Sequence, residues 1–157
     1  MIEYKQVVFA VFMTEKQIDH LIQLWQKRLQ LTEFEIHWNV FPAKSVPELQ
    51  DGSPACVHVA QSDKKIFISF AKEQEEMIDE ELIIHELSHA FLTRLDEFTT
   101  HVIDTYVSDP KARSLIILQK DDIGNEIVDW LVRIFLKMSP SEAKKESKEK
   151  KRKRSRS

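Results

Sequence analysis

Leu82-Ile83-Ile84-His85-Glu86-Leu87-Ser88-His89-Ala90-Phe91 is the stretch that decides how this chain is read. Its apolar positions belong to a longer helical spacing that runs from Met77 and Ile78 through Leu82, Ile84, Leu87 and Phe91 to Leu95. A helix is therefore expected from about Glu75, with acidic first turns of the sign that the helix dipole favours. Residues four apart on an α-helix project from one face, one turn apart. His85 and His89 have that spacing, and two imidazoles so placed can bind one Zn²⁺ through ring nitrogens at ~2.0–2.1 Å. Glu86 points to the side of the same face. From there its carboxylate can reach a water activated by the metal without ligating the metal itself, and can take the proton as that water attacks a carbonyl. Histidines deep in an apolar helix must be hydrogen-bonded or metal-bound. The competing interpretation is a pair of satisfied core histidines beside a surface glutamate.

Upstream of this helix the periodicity changes from helix to strand. Val7–Phe12 is rich in Val and Phe and predicts a strand. Thr14 and Gln17 form a capping-box signature, and Ile18, Leu21, Ile22, Trp25 and Leu29 then follow helical spacing over roughly 15–30. Phe34, Ile36, Trp38 and Val40 alternate with Glu35, His37 and Asn39, the mark of a half-buried strand. Cys56–Ala60 and Lys65–Phe70 predict two strands of a hairpin turning through Gln61-Ser62-Asp63-Lys64.

Downstream, residues 96–109 are polar and predict irregular chain with a short strand near Val102–Val107. Asp109-Pro110 is a helix start, with Leu115–Leu118 inside the element that begins there. A last helix over about 122–137 carries Ile123, Ile127, Trp130, Leu131, Ile134 and Phe135 on the side expected to dock on the core. The order of helix, small sheet, helix and further helices predicts an α+β fold.

Composition narrows the function classes. The chain has 157 residues, 42% hydrophobic and 31% charged, which suits one soluble domain. Its longest apolar run, Val7–Met13, is too short to span a membrane, and no cleavage site of the signal-peptide kind lies behind it. A single cysteine, Cys56, cannot form an internal disulfide, and a cytoplasmic location is expected. The formal charge of −3 divides unevenly: residues 140–157 carry nine Lys or Arg against three Glu, leaving −9 on the rest. Lys144–Ser157 has no apolar residue, so 1–139 is expected to be the folded domain and 140–157 a disordered basic tail. Lys150-Lys151-Arg152-Lys153-Arg154 can contact nucleic-acid phosphates without reading sequence, or can serve only as a solubilising end.

Taken together, Ile66–Ser69, the acidic helix start and Ile84-His85-Glu86-Leu87-Ser88-His89-Ala90-Phe91 resemble the core of zincin metallopeptidases. In layout the chain is most similar to minimal gluzincin-like, SprT-like and phage-encoded metallopeptidase families, and repressor-cleaving ImmA-like proteins share the arrangement. The resemblance covers roughly 15–137 in element order, with the His-Glu-x-x-His segment as its specific part. It implies a zinc-dependent peptidase acting on protein or peptide substrates, with His85 and His89 as ligands and Glu86 as the base. It also implies that an edge strand, at 65–70 or 55–60, binds the substrate by β-augmentation. Leu92 and Leu95 stand where the metzincin pattern requires Gly and His, which excludes that group.

Asn125-Glu126-Ile127-Val128-Asp129 resembles the gluzincin helix that brings the third ligand, so Glu126 is the expected third ligand and Asp129 the residue that orients a ligand histidine. His101 is the alternative third ligand. Tyr106, or His101, is a candidate donor to the oxyanion of the tetrahedral intermediate. His20, His37 and His58 are expected at the surface, and Trp25, Trp38 and Trp130 in the core. A second function class stays open at this point: a non-catalytic, nucleic-acid-associated or phage interaction protein with a zincin-like core and a basic tail.

Overall fold

Thr14 sets the first described helix. In the computed structural model, which describes residues 12–139, its side chain accepts from the Gln17 backbone while the Gln17 side chain accepts from the Thr14 backbone N–H at 2.8 Å. This reciprocal cap starts α1, Glu15–Arg28, which buries Ile18, Ile22 and Trp25. The helix ends as Gln30 enters the left-handed region at φ 56°.

Three strands come next: β1 Glu35–Phe41, β2 Ala55–Ala60 and β3 Lys65–Ala71. β2 and β3 form the expected antiparallel hairpin, and β1 joins β3 in parallel, so the order is β1-β3-β2. β3 is thus the central strand, and Ile66, Ile68 and Phe70 on it are fully buried. Of the two strands expected to serve as a substrate-binding edge, only β2 lies at an edge among the described residues. The 65–70 alternative is corrected because both of its ladders are occupied. Indole hydrogen bonds tie the layers together: Trp38 Nε1 donates to Asp19 Oδ1 at 2.7 Å and Trp25 Nε1 donates to Glu80 Oε1 at 3.0 Å.

After a 3₁₀ segment, α2 spans Glu80–Tyr106 without interruption. Of the irregular chain and short strand expected over 96–109, only 107–109 are irregular, and 96–106 are helix. That segment contains neither Gly nor Pro before Pro110, and Thr99 bonds back along the helix, its Oγ1 donating to the Leu95 carbonyl at 2.8 Å. The break falls instead at Asp109, whose side chain accepts from Ala112 N and caps α3, Pro110–Lys137. Gly124 lies inside α3, so the expected 122–137 helix and the segment around Leu115–Leu118 are one element.

The α+β class is as the sequence predicts, with a mixed three-stranded sheet. The chain divides into two compact units, residues 1–83 and 84–157, and α2 runs through the division. The expected strand at Val7–Phe12 falls, except for Phe12, outside the described residues, and the 140–157 tail lies wholly outside them. Among the described residues no helix is long and apolar enough to cross a membrane.

Candidate metal centre

Helix geometry makes the site. His85 and His89 lie one turn apart on α2, and their Nε2 atoms face each other at 3.1 Å with ring centroids 4.8 Å apart. Two imidazole nitrogens bound to one tetrahedral ion stand ~3.3 Å apart at the usual metal–nitrogen distances. A direct N–H···N hydrogen bond gives the same separation. The pair therefore fits one cation with little movement, and the same separation suits a hydrogen bond from one ring to the other.

The opposite side of the His85 ring faces α3. Nδ1 of His85 lies 3.7 Å from Asp129 Oδ1, an ion-pair distance too long for a hydrogen bond. A carboxylate on that side favours the tautomer protonated at Nδ1, which leaves the Nε2 lone pair directed at His89. His89 is held below the ordinary imidazole range, first by burial and then by the neighbouring His85, against opposing pulls from Asp129 and Asp96. Both effects keep neutral nitrogen available as a ligand.

Glu86 is 5% exposed, so it is not the surface glutamate of the competing interpretation. Burial pushes its carboxyl up to about 7. The cause is desolvation alone, which disfavours the charged form. A carboxyl with this property beside a histidine pair is suited to exchanging a proton near neutrality.

The other expected site residues are placed by the length of α2. His101 is twelve residues beyond His89 on the same unbroken helix, ~18 Å along the axis at 1.5 Å per residue. Tyr106 is farther still, ~25 Å from His89 by the same rise, and it is strongly exposed. Neither can share a centre with His85 and His89; both expectations rested on a chain that turned back after residue 96. Glu126 lies on α3, exposed, about one turn before Asp129. Among the described residues, no three His, Cys, Asp or Glu side chains converge as a ligand set. The structure pairs His85 with His89, sets Asp129 on the far side of the His85 ring, and leaves Glu126 exposed.

A ladder of polar contacts fixes α3 beside α2, and it was not legible in the sequence. Lys120 Nζ lies 2.7 Å from Asp96 Oδ1 and donates to Thr100 Oγ1 at 3.0 Å, while Arg113 reaches Asp104 at 3.8 Å and the Val107 carbonyl at 2.9 Å. With His85–Asp129 these contacts define an antiparallel helical hairpin. No local signal joins residues so far apart in the chain.

The remaining aromatic and histidine residues divide. Trp25 is core, but Trp130 is exposed, because α3 buries Val128 and Val132 and not the Ile127–Trp130 side. His37 sits at the sheet surface, 3.2 Å from Glu35 and stacked on Phe67.

Comparison with protein-family models, curated proteins and solved structures finds no match to this chain.

Proposed function

We propose that this chain is a zinc-dependent metallopeptidase cutting peptide bonds in protein substrates. The observation that carries the reading is the pairing of His85 and His89 through Nε2 at 3.1 Å, with the buried Glu86 next to the first of them. The likeness to zincins supports the same reading through the His85-Glu86-Leu87-Ser88-His89 segment. His85 and His89 would hold the metal, with Glu126 proposed as the third ligand after a change of side-chain rotamer on α3. A bound Zn²⁺ supplies Lewis acidity, polarising the scissile carbonyl and lowering the pKa of water.

The chain's own groups do the rest. Asp129 keeps the His85 proton on Nδ1 and so directs the Nε2 lone pair inward. Glu86 accepts the proton of the attacking water and delivers it to the departing amine, which lets C–N cleavage release a neutral amine. The burial of Glu86 keeps that proton from exchanging freely with solvent.

Metal content of the purified chain, followed by cleavage assays of wild type and Glu86→Gln, tests the proposal. Stoichiometric zinc in both proteins, with activity lost only in the variant, is expected. Residual activity within about tenfold of wild type would remove Glu86 from the base role, since general-base catalysis contributes ~10²–10⁴-fold. Glu126→Ala, measured by chelator competition, is expected to weaken zinc binding; unchanged affinity would remove Glu126 from the ligand set.

A further inference from the structure

The core side of the sheet is covered unequally. On β3, Ile66, Ile68 and Phe70 are fully buried, whereas their partners on β1, Ile36, Trp38 and Val40, are only half-buried. The same three residues turn their backbones outward. Glu35 N–H donates at 2.8 Å to the carbonyl of Lys64, one residue before its partner Lys65, as a parallel ladder requires. Successive residues of a strand alternate direction, so Glu35, His37, Asn39 and Phe41 bond to β3 while Ile36, Trp38 and Val40 face the other edge. There the Val40 N–H donates to the side chain of its neighbour Asn39 at 3.0 Å. Among the described residues no strand lies beyond β1, and β1 contains neither the Lys nor the Pro that protects an open edge.

A cleft of about 460 Å³ opens beside this edge, lined by Trp38 and Val40 from β1, by Ile18 from α1 and by Met13. The chain that precedes Met13 therefore arrives at the C-terminal half of β1. From there α1 carries the chain back along the strand. Near the helix start Asp19 accepts from the Trp38 indole, and near its end Gln26 Nε2 donates at 2.7 Å to the Phe34 carbonyl, just before β1 begins. A strand that ends at Met13 and is followed by this helix runs parallel to β1. Parallel neighbours need a crossover of roughly a dozen residues or more, usually a helix, and residues 13–34 supply one. The length matches as well: at ~3.3 Å per residue Val7–Phe12 spans ~20 Å, the same as Ile36–Phe41. Val7–Met13 is apolar at every position, as suits a strand covered on both faces.

We infer that the outer edge of β1 is the docking place of this chain's own residues Val7–Phe12, paired with it in parallel. β2, the strand expected to bind substrate, is the opposite edge of the sheet, so the inference stands whether or not the proposed activity does.

The test is amide hydrogen exchange and nuclear Overhauser contacts in the isotope-labelled full chain. The backbone N–H groups of Ile36 and Trp38 are expected to exchange at least about a hundredfold more slowly than in an unfolded peptide, as paired amides do. Backbone protons of 7–12 are expected to contact those of 36–40 within one chain. Val8→Pro combined with Phe9→Pro removes one donor from each side of the segment. That variant should free the Ile36 and Trp38 amides while those of His37 and Asn39, which bond to β3, stay slow. If the two prolines also release His37 and Asn39, the wild-type contacts between 7–12 and 36–40 decide alone. Free exchange at Ile36 and Trp38 in wild type overturns the inference, as does slow exchange that survives both prolines. Absence of the contacts overturns it too. So do contacts that arise only between a labelled and an unlabelled copy, which would make this edge an interface between chains.

Discussion

The two halves of α2 carry one apolar stripe to opposite environments. Ile84 and Leu87 are fully buried, whereas Phe91, Leu95 and Phe98, which continue the same spacing, are largely exposed. The first half also holds His85, Glu86 and His89, and the second holds the polar ladder of Asp96, Thr100 and Asp104 to α3. Nothing in the spacing distinguishes the halves. Periodicity identifies a face of a helix; what covers that face is decided elsewhere in the fold.

The largest expected effect separates the halves by stability. Leu87→Ala removes a fully buried side chain and should cost about 2–5 kcal/mol in chemical denaturation. Leu95→Ala, measured at dilution, should change stability by no more than about 0.5 kcal/mol, as exposed sites do. Equal costs would break the contrast.

Glu86 gives the next effect, through pH. Its carboxyl ionises near 4.5 when unfolded and near 7 in the folded, metal-free chain. Below about 4.5 both states are protonated and the group has no effect on stability. Between about 4.5 and 7 the unfolded state loses the proton first, so stability falls as pH rises and then levels off above 7. The full loss is on the order of 3 kcal/mol. Denaturation of chelator-treated protein across that range should show this slope in wild type and lack it in Glu86→Gln; a slope that survives the substitution would assign it to another group.

A smaller effect concerns the contact across the hairpin at the histidines. Asp129→Asn should weaken zinc binding about 10–100-fold, the usual cost of losing a carboxylate that orients a ligand histidine. Unchanged affinity would show that the 3.7 Å contact does not set the ring's tautomer. The smallest effect belongs to the ladder in the second half. Asp96→Asn breaks a pair whose carboxylate is half-exposed, and it should lower stability by no more than about 1 kcal/mol.

Where the chain's signals were local, the sequence was sufficient. Thr14 and Gln17 marked the start of α1, alternation marked β1, and Asp109-Pro110 marked the start of α3. The spacing of His85 and His89 determined that their rings would meet, because four residues on any α-helix bring side chains together. Polarity misled over 96–106, since threonines and aspartates lower helix propensity only slightly and no breaker stands before Pro110.

By itself, then, the sequence determined the α+β class, the β2–β3 hairpin and the proximity of the two histidines, all consequences of backbone periodicity over a few residues. Tertiary structure alone decided that β3 is central, that Val128 and Val132 and not Trp130 are buried, and that Glu86 is desolvated. It alone carried His101 and Tyr106 away from the histidine pair, and it set Asp129, the residue expected to orient a ligand histidine, 3.7 Å from His85 Nδ1. The physical reason is that burial and cross-helix distance are set by which faces meet across long chain separations, and an amphipathic pattern on one helix does not encode its partner.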